Sequence, residues 1–370
     1  MKYYIIAGEA SGDLHGSNLI KELKELDTDA DIRCWGGDLM AAAGGHVIKH
    51  YRELAFMGFI EVIKNLPTIL NNLKFCKQDV QSFEPDVLVL IDYPGFNLRI
   101  AKWAKAQGFK VVYYISPQVW AWKESRTKTI KKVVDKMLVI LPFEKEFFAK
   151  WNYKVEYVGH PLAQVVNDFV EHAPKKSLSS KPIIAVLPGS RKQEVATKLP
   201  IMLSVARDFP QYQFIVAKAP SLDDGFYNGI LKDYPNTQTV KNETYNLLSQ
   251  ATAALVTSGT ATLETALFGV PQVVCYKGSS ISYQIAKRLI KIKYISLVNL
   301  IMDKQIVTEL IQNDLTTVNV RKELNEILNN PQRKKQIEAD YCQLKSILQQ
   351  EESASARAAQ EIVGFLQKIA

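Results

Sequence analysis

The sequence predicts an α/β protein of two doubly wound parallel sheets facing one another across a cleft, with a helical C-terminal tail. Three observations carry that expectation. Short apolar runs alternate with helical segments in both halves of the chain, the pattern of βαβ units. At 370 residues the chain is too long for one ordinary core and suits two. From about Asn319 onward strand signals stop and helical segments follow one another. The expected domains are residues 1–170 and 171–340, and the helices of 341–370 either return to the first domain or join a partner subunit.

Strands are expected in the first half at KYYIIAG, DIRCWG, DVLVLID, KVVYYIS, KMLVILP and KVEYVGHP. In the second half they are expected at PIIAVLPGS, QFIVAKA, TQTVKN, AALVTSG, PQVVCYKG and YISLVNL. Runs such as Val87 to Ile91 are continuously apolar, as a strand covered on both faces must be. Between the halves, EHAPKKSLSSKP is polar and rich in Lys, Ser and Pro, and reads as a linker or exposed loop. The tail helices are expected in VRKELNEILNN, PQRKKQIEADYCQLKSILQQ and SASARAAQEIVGFLQKI. Both halves are therefore Rossmann-like in plan, and in such sheets ligands bind beyond the carboxyl ends of the strands.

A net charge of +8 points to anionic partners without choosing among them. Within WKESRTKTIKKVVDK six bases, Lys123, Arg126, Lys128, Lys131, Lys132 and Lys136, face two acids, either a phosphate-holding patch or a solvated helix face. No nucleic-acid motif accompanies them, so nucleic acid is not an expected partner. Cys34, Cys76, Cys275 and Cys342 are far apart and show no CxxC spacing, which suits free buried thiols in a reducing compartment. HExxH is absent as well, and neither a metal nor a cofactor is expected. The opening MKYYIIAGEASGD is too short an apolar run for a signal peptide, and no segment approaches the roughly 20 residues that span a bilayer. A cytoplasmic protein is expected, free to lie on a membrane.

Four strand ends carry candidate chemistry. IIAGEASGDLHG runs from strand through a glycine-containing turn into a helix, with Ser11 or Asp13 available as caps and Glu9 at the strand end. It matches neither GxGxxG nor the P-loop. VLVLIDYPGFN ends a buried run on the carboxylate of Asp92, immediately before a turn. AVLPGSRKQEV repeats the strand-turn-helix plan, leaving Ser190 and Arg191 at a helix start. There a diphosphate meets free N–H groups and a guanidinium fork; the alternative is an arginine paired with Glu194 on the surface. ALVTSGTATLE places Ser258, Gly259 and Thr260 at another helix start and Glu264 one turn inside it, in reach of ribose hydroxyls. With Arg191, it describes a nucleotide diphosphate site.

Other features read two ways. Trp120 and Trp122 in SPQVWAW pack against sugar or acyl surfaces, or belong to a core. His160 in VGHP ends the last strand of the first half, as a structural or a catalytic histidine. Residues 53–75, ELAFMGFIEVIKNLPTILNNLKF, are strongly apolar and interrupted by Pro67, either a helix pair on the sheet or a membrane-contacting surface that includes Met57.

Taken in order, GEASGD, FMGFIEV, IDYPGFN, SPQVWAW, VGHP, LPGSRKQEV, TSGTATLE and SLVNL closely resemble the lipid-A-disaccharide synthases, bacterial glycosyltransferases of the GT-B type, from Gly8 to about Leu310. The resemblance implies a UDP-2,3-diacylglucosamine donor, a 2,3-diacylglucosamine 1-phosphate acceptor, and transfer with inversion and release of UDP. It implies Asp92 as the base, with Glu9 and Asp13 as competitors, and a nucleotide-sugar site of Ser190, Arg191, Ser258, Gly259, Thr260, Glu264 and Asn299. Ser11, Met57, Trp120, Trp122 and His160 are the expected acceptor or lipid contacts. Peripheral attachment to the inner face of the inner membrane, and dimers exchanging C-terminal segments, are implied too. One departure stands out: many relatives carry a second acid where this chain has Gly95, which narrows the base toward Asp92. Rival readings are another UDP-sugar enzyme of this fold, a lipid-acceptor N-acetylglucosaminyltransferase or an epimerase, and a membrane-docked nucleotide-sugar-binding protein without turnover.

Overall fold

The structure, a computed structural model, describes residues 1–54, 66–174, 176–279, 283 and 292–368, with the side chains of Leu66 and Trp122 left aside. The chain forms two compact units, Met1–Pro161 with Gln350–Ala370, and Leu162–Gln349.

The first unit is built on β1 (Lys2–Ala7), β2 (Asp31–Gly36), β3 (His46–His50), β4 (Val87–Ile91), β5 (Val111–Tyr114), β6 (Lys136–Val139) and β7 (Glu156–Tyr157). They form a parallel sheet in the order β3-β2-β1-β4-β5-β6-β7. Alternate side chains of each strand feed opposite faces. Tyr4, Ile6, Leu88 and Leu90 pack with Cys76 and Val80 of the helix Leu66–Phe83 and Ile100 of the helix Pro94–Ala106. Tyr3, Ile5, Val87 and Val89 pack on the other side with Leu19, Ile20 and Leu23 of the helix Ala10–Leu26. The last helix, Ala354–Gln367, lays Ala358, Ala359, Ile362, Val363 and Leu366 into that same cluster. Its apolar face is thus spent within the first unit, and cutting a fully buried residue such as Ile362 to alanine costs roughly 2–5 kcal/mol.

The second unit contains β8 (Ile183–Leu187), β9 (Gln213–Lys218), β10 (Gln238–Lys241), β11 (Ala251–Thr257), β12 (Gln272–Tyr276) and β13 (Thr308–Ile311). These pair in parallel in the order β10-β9-β8-β11-β12-β13. Chain order reverses between β1 and β4 in one sheet and between β8 and β11 in the other, so each sheet has one topological switch point. The linker is tied down: Leu178 N–H donates to Gln250 Oε1 at 3.2 Å, and Lys176 O accepts from Asn246 and Gln250.

Eleven of the twelve expected strands form. The exception is YISLVNL, where Ser296 accepts from Asn299 N–H at 3.3 Å and caps the helix Leu297–Met302. A short apolar run does not by itself distinguish strand from buried helix, and here the cap decides. Two strands were not expected, β3 in HVIKH and β13 in TELI, both broken up by polar residues. The first helix also starts earlier than Ser11 or Asp13 would cap it: Glu9 occupies the N-cap, without a side-chain cap bond.

Candidate active site

In the second unit two strand ends meet at the switch point. β8 turns through Pro188, Gly189 and Ser190 to Arg191, the N-cap of the helix Lys192–Leu203. β11 ends on Thr257, and Gly259 is the N-cap of the helix Thr260–Leu267. A cavity of about 380 Å³ opens there, lined by Gly189, Ser190, Arg191, Ser258, Gly259, Thr260 and Glu264 among others. Two helix starts on one cavity offer unpaired N–H groups and positive dipole ends to an anion. Gly189 has φ +113°, a backbone conformation that favours glycine, and an added Cβ would stand 2.7 Å from the movable carboxylate end of Glu194.

Six of the seven expected nucleotide-site residues therefore come together. Arg191 is 71% exposed and pairs with Glu194 Oε1 at 3.3 Å, so the surface pair forms at the cavity rim rather than in place of it. Ser258 Oγ donates to Ile295 O at 2.8 Å. Glu264 accepts from Tyr245 OH at 2.9 Å; burial raises its carboxyl above the ordinary range, and this bond partly offsets the rise. Asn299 is different. Fully buried, it donates to Val307 O and Glu309 Oε1, both at 2.9 Å, and accepts from Ile306 and Val307 N–H. Glu309 in turn holds Ile295 and Ser296, so Asn299 braces the segment that Ser258 touches and is not part of the cavity lining.

In the first unit Glu9 and Asp92 follow β1 and β4, the neighbouring strands of the switch point. Asp92 and Tyr93 both have left-handed backbones, φ +43° and +48°, a strain of about 1–3 kcal/mol each that surrounding contacts must hold. Those contacts are explicit. Asn97 Nδ2 donates to Asp92 O at 2.8 Å and Ile91 O at 3.2 Å, and Tyr113 OH donates to Asp92 O at 2.5 Å. The Tyr93 ring lies over Gly8, where any Cβ would stand 2.3 Å from it, locking the two turns together. Burial, and then the nearby Glu9, push the Asp92 carboxyl up to about 6.

Asp13 is buried, and its carboxylate accepts from Gly37 N–H at 2.7 Å, Met40 N–H at 3.1 Å and Leu39 N–H at 3.2 Å. It anchors the start of the helix Asp38–Ala42, with little left to accept a substrate proton. Ser11 is exposed on the first turn of its helix. Trp120 donates to Glu144 Oε1 at 3.3 Å and meets Phe143 edge-on at 5.0 Å. Glu144, buried, also accepts from Ser116 Oγ and from Leu141 N–H, and burial pushes it up to about 7. His160 is buried and held neutral, down to about 3, by burial and by His15. Met57 lies outside the described residues, and Trp122 closes the short helix Val119–Trp122.

Sequence reasoning, which expected no HxxxH pairing, missed that of His46 and His50; it lies on a strand, where residues four apart stand about 13 Å from one another. Among the described residues no group of three or more metal-ligating side chains occurs. Sequence reasoning missed Asn97, Tyr113, Glu144, Lys198 and Tyr245. Only Asn97 carried a local signal, since it closes the IDYPGFN turn.

Two parallel, doubly wound sheets of this order give the chain the GT-B fold. UDP-GlcNAc 2-epimerase from Neisseria meningitidis superimposes over the whole of both chains with a TM-score of 0.69 at 13% identity. The glycotransferase of kitacinnamycin does so over 99% of each, also with a TM-score of 0.69 at 13% identity. Sequence then narrows the class: residues 3–363 match the lipid-A-disaccharide synthetase family, and the chain belongs to it. The lipid-A-disaccharide synthase of Geobacter sulfurreducens is 38% identical over 93% of this chain and 92% of its own. That of Koribacter versatilis is 35% identical over 100% and 99%. The protein is accordingly a glycosyltransferase of lipid A biosynthesis, with a nucleotide sugar and a lipid acceptor as substrates.

Proposed function

We propose that the protein joins UDP-2,3-diacylglucosamine to 2,3-diacylglucosamine 1-phosphate, releasing UDP and a tetraacyl disaccharide 1-phosphate. The observation that carries this is the second unit's cavity, where Arg191 and two helix starts converge with Glu264. The diphosphate meets Arg191 and the N–H groups around Ser190, Ser258, Gly259 and Thr260, while Glu264, oriented by Tyr245, accepts the ribose hydroxyls. Asn299 acts indirectly, by bracing the Ser258 contact.

In the displacement, an acceptor hydroxyl oxygen forms the bond to the donor's anomeric carbon as the bond to the phosphate oxygen breaks. The hydroxyl proton passes to Asp92, and the electron pair leaves with UDP, whose charge Arg191 and the helix starts offset. A carboxyl near 6 is ionised at neutral pH yet more basic than a solvated one, which suits this role. Glu9 raises that basicity by its charge, and Asp13 is a backbone anchor instead of a base. Ser11, Trp120 and the neutral His160 contact the acceptor, with Glu144 fixing Trp120.

No helix among the described residues is long and apolar enough to cross a membrane. Leu70 and Phe75, exposed on the helix Leu66–Phe83, supply an apolar surface for peripheral docking on the inner membrane face. A dimer exchanging C-terminal segments would swap the helix Ala354–Gln367 between copies, a reading that sedimentation tests. For the reaction, product mass spectrometry with both lipids in detergent should give the tetraacyl disaccharide phosphate. Conversion of the donor sugar without acceptor would instead favour an epimerase.

A further inference from the structure

Lys198 lies two turns into the helix that Arg191 opens, and its side chain is only 2% exposed. Its ammonium donates to Thr257 Oγ1, and it stands 3.6 Å from Glu194 Oε2. Both partners line the nucleotide cavity, whereas Lys198 stands behind that wall. Glu194 is shared, with its other oxygen on Arg191. The other groups felt by the ammonium are Cys275, a buried thiol that burial pushes up to about 12 and so keeps neutral, and Arg191, whose like charge draws the ammonium down.

A buried ammonium is costly, and an apolar side chain of similar volume usually serves packing as well or better. Burial indeed draws this ammonium below its ordinary range, with Glu194 pulling the other way. Stability alone therefore gives no reason for a lysine here. Charge does. Glu194 is an anion on the wall of a cavity that must take a diphosphate, and it competes with phosphate for Arg191. An inward cation that occupies Glu194 turns a neutral Arg-Glu pair into a cluster of two bases and one acid.

We infer that Lys198 is a positioning residue for the nucleotide diphosphate: by sharing Glu194 with Arg191 it offsets the carboxylate's charge, so that Glu194 competes less with the phosphates for Arg191. The inference rests on the nucleotide-site reading above. It makes Lys198 specific for phosphate, since the uridine portion gains nothing from it.

The test is Lys198→Met in the full chain, titrated with UDP and with uridine beside a thermal melt. The expected result is a melting temperature at or above wild type, UDP affinity weaker by about tenfold, and uridine affinity unchanged. Glu194→Gln added to Lys198→Met should recover most of the loss, because it removes the carboxylate that Lys198 restrained. UDP binding equal to wild type in Lys198→Met would overturn the inference, as would equal losses for UDP and uridine or a double variant no better than the single. Wild-type protein that binds no UDP would overturn the nucleotide-site reading itself, a distinct outcome. If the single variant misfolds, the double variant is compared with Glu194→Gln alone: equal UDP affinity in that pair is expected, since no carboxylate is left to restrain, and a loss of about tenfold there overturns the inference.

Discussion

Replacing Asp92 with asparagine should separate two quantities that most buried substitutions move together. The structure raises this carboxyl from the ordinary 3.8 to about 6 through burial and Glu9. The folded chain therefore holds a proton more tightly than the unfolded one, and between those two values stability falls as pH rises. Above both, the ionised Asp92 costs its full penalty. A difference of about two units corresponds to roughly 3 kcal/mol, and screening on the partly open side leaves about 1–3 kcal/mol. Asparagine removes the charge and tolerates the left-handed backbone at φ +43°. At pH 8, Asp92→Asn should therefore be the more stable protein in urea unfolding, with the gap narrowing by pH 5. Turnover should fall by about 100- to 10,000-fold for loss of the base, with UDP affinity unchanged. The wild-type rate should show an acid limb near pH 6 that Glu9→Gln moves lower, because a neighbouring negative charge is gone. Turnover close to wild type, or a variant less stable at pH 8, would refute the reasoning.

Three further substitutions test the site's supports. Arg191→Ala should weaken UDP binding by about tenfold or more while leaving the melting temperature within a degree or two, since its ion pair is exposed; titration calorimetry reads this. Gly189→Ala should lower both stability and UDP affinity, because φ +113° strains any side-chain-bearing residue and the new Cβ displaces the Glu194 carboxylate beside Arg191. A thermal melt beside a UDP titration checks both. Asn97→Ala should cost about 1–3 kcal/mol by leaving the Ile91 and Asp92 carbonyls with fewer donors, and should reduce kcat without changing UDP affinity.

Much of the architecture is written locally in the chain. Ile183–Leu187 and Val87–Ile91 are apolar without a break, and each is followed at once by a turn sequence, so strand, strand end and candidate site residue could be read together. His46–His50 and Thr308–Ile311 were illegible because neither is an uninterrupted apolar run; they lie at or near sheet edges, where burial is incomplete. Leu297–Met302 was misread because a six-residue apolar segment fits either period, and the deciding hydroxyl of Ser296 looked like part of a strand.

The site divides the same way. Helix starts carrying Arg191 and Thr260 are properties of short sequences, and they converge because β8 and β11 are adjacent. What no short sequence carries is the pairing of distant side chains. Asp13 reads as a free acid until Gly37 and Met40 fold onto it. Glu144 gains its role only when Ser116 and Trp120 arrive from another strand end, and Lys198 only when Thr257 does. These partnerships span 24 to 59 residues of chain.

The central claim is a division of labour: the second unit holds UDP and Asp92 of the first takes the proton. Its most direct test is the rate of UDP release from the diacylated donor, with and without the diacylated acceptor, for wild type and Asp92→Asn. The account predicts release only with both lipids in wild type, and a collapsed rate in Asp92→Asn while it still binds UDP. Acceptor-independent release, or an Asp92→Asn variant that turns over like wild type, would contradict it.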